Sequence, residues 1–167
     1  DSLESAVQKL LIENKKTVSA AESCTGGMIS SRLTNTPGSS LCFKQSVITY
    51  SNESKISLLS VKEETIKQFG AVSQNAAEEM LNGILNLSKT DYAVSVTGIA
   101  GPEGSYENKP VGLVFIGISY RGKNEISKHM ISGSRKDIRE RATVLALDLL
   151  RRAILKNSIK TKTSKGK

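Results

Sequence analysis

Two clusters of glycine and hydroxyl residues mark the places where this chain is best suited to bind a small molecule. The first is Ala21-Glu22-Ser23-Cys24-Thr25-Gly26-Gly27, and the second is Thr97-Gly98-Ile99-Ala100-Gly101-Pro102-Glu103-Gly104. Each follows a run of residues predicted to be a buried strand, and small residues there let a backbone pass close to a ligand. Turns at strand ends are where open α/β sheets form small-molecule sites, so the two clusters predict such a site.

The first cluster precedes a predicted helix over residues 25–35. Free backbone N–H groups at a helix N-terminus favour a phosphate or an oxyanion, which makes residues 23–27 a candidate anion site. The alternative is that Gly26 and Gly27 only allow the helix to pack closely on the strand, and that a hydroxyl caps the helix. Neither a P-loop nor a G-x-G-x-x-G fingerprint is present, so both interpretations stay open.

A nucleophilic serine needs a base, and the sequence offers two candidate bases. The single histidine, His129, lies far along the chain from both glycine clusters, which gives a Ser-His-acid triad little support. Lys55 follows a predicted strand over residues 43–50 that Ser40 precedes, and a Ser-Lys pair forms if the loop folds back along that strand. A lysine base requires burial to lower its pKa from about 10.4 toward about 7 to 8. The alternative is that Lys55 is a solvated helix residue. Cys24 is interpreted as a small buried packing residue.

The predicted elements that position these residues alternate between helix and strand. Helices are predicted over residues 2–15, 25–35, 61–69, 73–87 and 135–155, with Asp1 and Ser73 as N-caps. Strands are predicted over 17–21, 43–50, 92–96, 111–120 and 125–131, the last two forming a hairpin. The alternation predicts an α/β fold, a three-layer α/β/α sandwich with a mixed, mostly parallel sheet.

Composition restricts the class of protein. The 167 residues, 38% of them hydrophobic, are enough for one core, and we expect a single domain over residues 1–155. The net charge is +8, but residues 156–167 hold five lysines and no acid, which leaves +3 for the rest. This segment is predicted to be a disordered basic tail, with a weak anion-binding arm as the alternative.

Aromatic residues are scarce at 4%, which argues against nucleic-acid binding by base stacking. No apolar run is long enough to span a membrane, and two cysteines do not form a secreted disulfide scaffold, so we expect a cytoplasmic protein.

Six motifs occur in order along the chain and carry a family resemblance. They are Ala21-Glu22-Ser23-Cys24-Thr25-Gly26-Gly27, Gly38-Ser39-Ser40 with Phe43, Thr49-Tyr50-Ser51-Asn52-Glu53-x-Lys55, Gly70-Ala71-Val72-Ser73, Thr97-Gly98-Ile99-Ala100-Gly101-Pro102 and Lys109-Pro110-Val111-Gly112. Together they resemble the CinA C-terminal domain family over residues 17–147. That family is similar to nicotinamide mononucleotide deamidases, which hydrolyse the carboxamide to nicotinate mononucleotide and ammonia. The resemblance therefore implies an α/β/α amidohydrolase that needs no metal and no cofactor, acting on a small nucleotide.

The resemblance also implies roles for individual residues. Ser40 is the expected nucleophile, Lys55 the general base, and Tyr50 the residue that orients the pair; Ser23 is the alternative nucleophile. The expected substrate-binding residues are Ser23, Thr25, Gly26, Gly27, Thr97, Gly98, Ala100, Gly101, Arg135 and Arg139, the two arginines as candidates to bind the phosphate. The chain departs from the family pattern at Gln45, Ser46 and Ser105. A catalytically silent nucleotide-binding or interaction module is the alternative function, and a homo-oligomer stays open.

Overall fold

The computed structural model describes residues 1–106 and 108–164, which fold around one five-stranded sheet. The strands are β1 (Val18–Glu22), β2 (Phe43–Ile48), β3 (Tyr92–Gly98), β4 (Leu113–Tyr120) and β5 (Lys123–Met130), in the spatial order β2-β1-β3-β4-β5. The three strands β2, β1 and β3 are parallel, whereas β4 pairs antiparallel with both β3 and β5. The predicted α/β class with a mixed sheet is confirmed.

Helices cover both faces of the sheet, as the predicted three-layer sandwich requires. They are α1 (Leu3–Glu13), α2 (Met28–Thr34), α3 (Asn52–Leu59), α4 (Glu63–Phe69), α5 (Gln74–Ser88) and α6 (Arg135–Ser164), with a 3₁₀ turn over Ser39–Leu41. The helices α1, α2 and α6 contact one another in one outer layer, and α3, α4 and α5 form the other. Along β1, Val18 and Ala20 belong to the core under α1 and α6, while Ala21 belongs to the core under α5. Both faces of β1 are therefore buried, as is usual for a parallel strand covered by helices on both sides.

The contact between α3 and α5 depends on a glycine. A Cβ built on Gly83 in α5 would lie 2.1 Å from the carbonyl oxygen of Leu59 at the end of α3. That carbonyl is backbone and cannot move aside as a flexible side chain would. The absence of a side chain at position 83 thus sets how closely α3, which carries Lys55, approaches the rest of the domain.

Several predicted boundaries differ from the structure for local reasons. Ser2, not Asp1, caps α1 by accepting from Ser5 N. The predicted helices do not include α3, whose N-cap is Ser51. The helix predicted from residue 25 begins at Met28, because Gly26 and Gly27 both have positive φ and extend the preceding turn.

The basic tail is the largest difference. The sequence predicts disorder from residue 156, whereas α6 continues to Ser164 in the structure. Ile154 is buried in the core, and Lys156 Nζ lies 3.2 Å from Glu125 Oε1 of β5, so contacts between α6 and the sheet extend one residue past the predicted end. Residues 165–167 of this segment lie outside the described residues.

Candidate active site

A cleft of about 570 Å³ opens where the strands β1, β2 and β3 end. These strands are parallel, so the segments after Glu22, Ile48 and Gly98 meet at one edge of the sheet. The residues that line the cleft are Ser23, Cys24, Tyr50, Asn52, Lys55, Ile66, Gly70, Ala71, Val72, Thr97, Gly98, Ile99, Ala100, Gly101, Glu103, Gly104, Tyr106 and Arg135. Ser23 and Cys24 of the first glycine cluster lie in one wall of this cleft, and the second cluster forms the opposite wall.

Lys55 lies at the bottom of the cleft, and only 1% of its surface is exposed. Its Nζ is 2.9 Å from Ser23 Oγ, 2.8 Å from the carbonyl oxygen of Thr49 and 3.5 Å from that of Tyr50. No carboxylate forms an ion pair with Lys55 in the described part of the chain. Burial without a counter-ion disfavours the charged amine and lowers the pKa of Lys55 from 10.5 to about 8.

These three contacts suit a lysine that exchanges a proton with a serine. A charged ammonium donates to all three oxygens, whereas a neutral amine has two N–H donors and one lone pair. The neutral form can donate hydrogen bonds to the two carbonyl oxygens and accept one, through its lone pair, from the Ser23 hydroxyl. With a pKa of about 8, roughly one molecule in ten carries the neutral amine at pH 7.

The turn that carries Ser23 is held by the carboxylate of Glu22, which is completely buried. Its Oε1 accepts from Thr25 Oγ1 at 2.8 Å and from Ile29 N at 3.0 Å, and its Oε2 accepts from Ser30 N at 3.1 Å. The N-terminal N–H groups of α2 are therefore satisfied by an internal carboxylate. At this helix end, where the sequence offers a candidate site for a phosphate or an oxyanion, the structure places the carboxylate of Glu22.

Gly26 and Gly27 both have positive φ and lie against other parts of the protein. A Cβ on Gly26 would lie 2.9 Å from Arg139 Nη2, and one on Gly27 would lie 3.0 Å from the Ile48 side chain. Together with the buried Thr25, they are absent from the cleft lining, so the structure does not support the prediction that these three residues contact substrate.

Cys24 lies in the cleft wall beside Ser23 but is buried. Burial raises the pKa of its thiol to about 11, so it is protonated at neutral pH and is a poor nucleophile. This agrees with the interpretation of Cys24 as a packing residue.

The second glycine cluster forms the opposite wall, where Thr97, Gly98, Ala100 and Gly101 all line the cleft. Thr97 Oγ1 donates to the carbonyl oxygen of Ala71 at 2.8 Å, which ties this wall to the segment between α4 and α5. A Cβ on Gly98 would lie 2.9 Å from the carbonyl oxygen of Leu113 and 3.2 Å from Cys24 Sγ. Glycine at position 98 thus allows the two walls to approach each other.

The two arginines predicted to bind phosphate have different surroundings. Arg135 lines the mouth of the cleft, where Nη1 donates to the carbonyl oxygen of Gly101 at 2.8 Å and Nη2 lies 2.7 Å from the hydroxyl of Tyr50. Arg139 instead donates from Nε to the carbonyl oxygen of Cys24 at 2.9 Å and is absent from the lining. Arg135 is therefore positioned to meet a ligand, and Arg139 supports the backbone beside Ser23.

Ser40 is not at the site. It is exposed in the 3₁₀ turn before β2, whereas Lys55 follows β2, and the six residues of this strand span about 20 Å. The structure does not bring Ser40 and Lys55 together, because α3, which carries Lys55, follows the carboxyl end of β2 and places Nζ beside Ser23 at the end of β1. His129 is likewise absent from the lining, and its Nε2 lies 2.7 Å from Ser127 Oγ in β5.

No individual site role was predicted for Asn52, Glu103, Tyr106 or the segment 70–72, all of which line the cleft. The sequence did contain a signal for some of them, since Gly70 to Val72 and Asn52 belong to the six motifs that carry the family resemblance. Of the three departures from the family pattern, Gln45 and Ser46 lie in β2 outside the lining, and Ser105 lies between the lining residues Gly104 and Tyr106.

Within the described residues, no helix is both long and apolar enough to cross a membrane. The same residues contain no group of three or more His, Cys, Asp or Glu side chains that is suited to bind a metal ion.

The fold and cleft define an α/β protein with a buried Ser-Lys pair, and comparison with known proteins supplies the family. The sequence model of the CinA C-terminal domain matches residues 1–154, and the chain belongs to that family. It is 60% identical over 155 residues to a CinA-like protein of Endomicrobium trichonymphae, and 48% identical over 155 residues to one of Kosmotoga olearia. These matches cover 93% of this chain but only 36% and 38% of the relatives, so the chain spans little more than a third of their length.

Solved structures show the same fold. A competence-damaged protein (CinA) superfamily protein from Klebsiella pneumoniae matches with a TM-score of 0.89 and 31% identity, over 92% of this chain and 96% of that one. The competence/damage inducible protein CihA from Agrobacterium tumefaciens matches with a TM-score of 0.82 and 37% identity, over 91% and 94% of the two chains. The family expected from the six motifs is therefore confirmed.

Proposed function

We propose that this chain is an amidohydrolase that converts nicotinamide mononucleotide to nicotinate mononucleotide and ammonia, with Ser23 as nucleophile and Lys55 as general base. The observation that carries the proposal is the buried Nζ of Lys55, 2.9 Å from Ser23 Oγ and without a carboxylate partner among the described residues. A surface lysine would have no such pairing and no lowered pKa. In this role the protein would recycle pyridine nucleotides in the cytoplasm.

The first half of the reaction forms an ester on Ser23. The neutral Lys55 amine takes the hydroxyl proton as Ser23 Oγ bonds to the carboxamide carbon, which becomes tetrahedral. Lys55, now an ammonium, gives that proton to the amide nitrogen, the C–N bond breaks, and ammonia leaves. Because the two carbonyls of Thr49 and Tyr50 hold Nζ throughout, the amine stays aligned with Ser23 in both protonation states.

The second half releases the acid. Lys55 is again neutral after ammonia departs, so it accepts a proton from water as the water oxygen attacks the ester carbon. The proton then passes to Ser23 Oγ as the ester bond breaks, which frees the carboxylic acid. This acid gives its remaining proton to solvent water, and nicotinate mononucleotide leaves as a carboxylate. One lysine therefore acts as base and then acid in each half, without a histidine.

The substrate phosphate requires a cation at the cleft mouth. Arg135 meets this requirement because its guanidinium contacts only a carbonyl and a hydroxyl and forms no ion pair with a described carboxylate. Arginine binds phosphate oxygens through two parallel N–H donors. The hydroxyl of Tyr50, 2.7 Å from Arg135, is available as a further donor to the same phosphate.

The test is ammonia release from nicotinamide mononucleotide by the purified protein and three variants. Ser23→Ala and Lys55→Ala should each reduce kcat by at least about a thousandfold, since each removes one member of the pair. Ser40→Ala is the matched control and should retain the wild-type rate. If turnover survives in Ser23→Ala and is lost in Ser40→Ala, the assignment of the nucleophile is wrong. Tight nucleotide binding without any ammonia would instead indicate a silent nucleotide-binding module.

A further inference from the structure

The mouth of the cleft carries two opposite charges that do not pair with each other. Glu103 is the only carboxylate among the described residues that line the cleft, and Arg135 is the cation on the same rim. Neither forms an ion pair within residues 1–106 and 108–164. A ligand with one anionic group and separate hydrogen-bond donors would match this pattern.

The loop that carries Glu103 is anchored on both sides. Arg135 donates to the carbonyl oxygen of Gly101, two residues before Glu103. Beyond Glu103, Lys109 Nζ donates to the carbonyl oxygen of Phe69 at the end of α4, and its ammonium lies 5.3 Å from the centre of the Tyr106 ring. The carboxylate is therefore carried on a wall that is tied to α6 at one end and to α4 at the other.

The two charges orient a nucleotide in the cleft. With its carboxamide at the Ser23–Lys55 pair, a mononucleotide must extend toward the mouth, where Arg135 attracts its phosphate. Because Glu103 repels a phosphate, we expect the phosphate on the Tyr50 side of Arg135 and the ribose on the side of the Glu103 loop. A carboxylate has two oxygens that accept hydrogen bonds from the two hydroxyls of a vicinal diol.

We propose that Glu103 is a specificity-determining residue that accepts hydrogen bonds from the 2′ and 3′ hydroxyls of the substrate ribose. The cleft thereby selects ribonucleotides over 2′-deoxyribonucleotides. This inference rests on the proposed amidohydrolase function, because it takes the carboxamide to lie at Ser23. Glu103 takes no part in proton transfer, so its effect is on substrate binding and not on the chemical step.

The experiment measures kcat and KM for nicotinamide mononucleotide and its 2′-deoxy analogue with wild-type protein, Glu103→Ala and Glu53→Ala. Hydrogen bonds to a charged group are worth a factor of about 10 to 100 in affinity, so the wild type should prefer the ribonucleotide by about that factor in kcat/KM. Glu103→Ala should raise KM for the ribonucleotide, leave kcat within about threefold and abolish the preference. Glu53, an exposed carboxylate beside Asn52 but outside the lining, is the matched control, and its variant should keep the preference.

Calorimetric binding of the same two nucleotides separates this inference from the proposed function. If wild-type protein releases no ammonia but still binds the ribonucleotide more tightly, and only Glu103→Ala loses that difference, the amidohydrolase proposal fails while the diol contact is supported. Equal preferences in wild type and Glu103→Ala would overturn the diol contact, as would no binding of either nucleotide.

Discussion

Burial of Lys55 should make the stability of this protein depend on pH in a specific way. The pKa of Lys55 is lowered from 10.5 to about 8 in the folded chain, whereas the unfolded chain keeps the ordinary value. Between these two values the unfolded state binds a proton that the folded state does not, so the free energy of unfolding rises with pH. Below pH 8 both states are protonated, and the buried charge lowers the stability by about 3 kcal/mol relative to a neutral amine.

The perturbation that isolates this effect is Lys55→Met, which keeps the length of the side chain and removes the titrating group. The variant leaves Ser23 Oγ and the carbonyls of Thr49 and Tyr50 without their shared donor, which adds a constant offset of a few kcal/mol at most. This offset does not vary with pH, so it does not affect how the difference in unfolding free energy between the two proteins changes with pH. Between pH 7 and pH 10, the stability of wild type minus that of Lys55→Met should increase by about 2.5 kcal/mol.

The assay is urea unfolding followed by circular dichroism at pH 7, 8, 9 and 10, for wild type, Lys55→Met and Lys128→Met. Lys128 is an exposed residue of β5. The difference in unfolding free energy between wild type and Lys128→Met should therefore change by less than about 0.5 kcal/mol between pH 7 and pH 10. Other groups titrate equally in all three proteins and cancel in the comparison. Wild-type and Lys55→Met curves that stay parallel from pH 7 to pH 10 would refute the argument that burial of Lys55 lowers its pKa.

Two further predictions concern the reaction and the packing. If neutral Lys55 is the base, kcat/KM for ammonia release should rise about tenfold per pH unit below pH 8 and level off above it, whereas a profile flat from pH 6 to pH 9 would exclude Lys55 as the titrating base. Gly83→Ala should lower the free energy of unfolding by about 2 kcal/mol, because the new Cβ overlaps the carbonyl oxygen of Leu59, although alanine itself favours a helix. Asn86→Ala, an exposed change in the same helix, is the control for Gly83→Ala, and equal stabilities of the two variants would contradict the overlap.

The sequence alone predicted the fold class because its signals are local. The β-branched run around Val47 and Ile48 predicted β2, and Ser73 with the apolar residues that follow predicted α5, which begins at Gln74 in the structure. Periodicity and capping depend on residues a few positions apart, so they can be read along the chain. The two glycine clusters also follow strands, and this placed both at the edge of the sheet where the cleft lies.

The partner of Lys55 could be decided only by the tertiary structure. In the sequence Ser40 and Ser23 are both plausible nucleophiles, 15 and 32 positions from the lysine. Parallel pairing of β1 with β2 places the end of β1 beside the end of β2, and this brings Ser23 to 2.9 Å from Nζ while Ser40 stays at the far end of the strand. The burial that lowers the pKa of Lys55 likewise comes from elements distant in sequence. Residue types along the chain determine which chemistry is available, but distances and desolvation depend on which strand ends the fold brings together, and no local pattern encodes that.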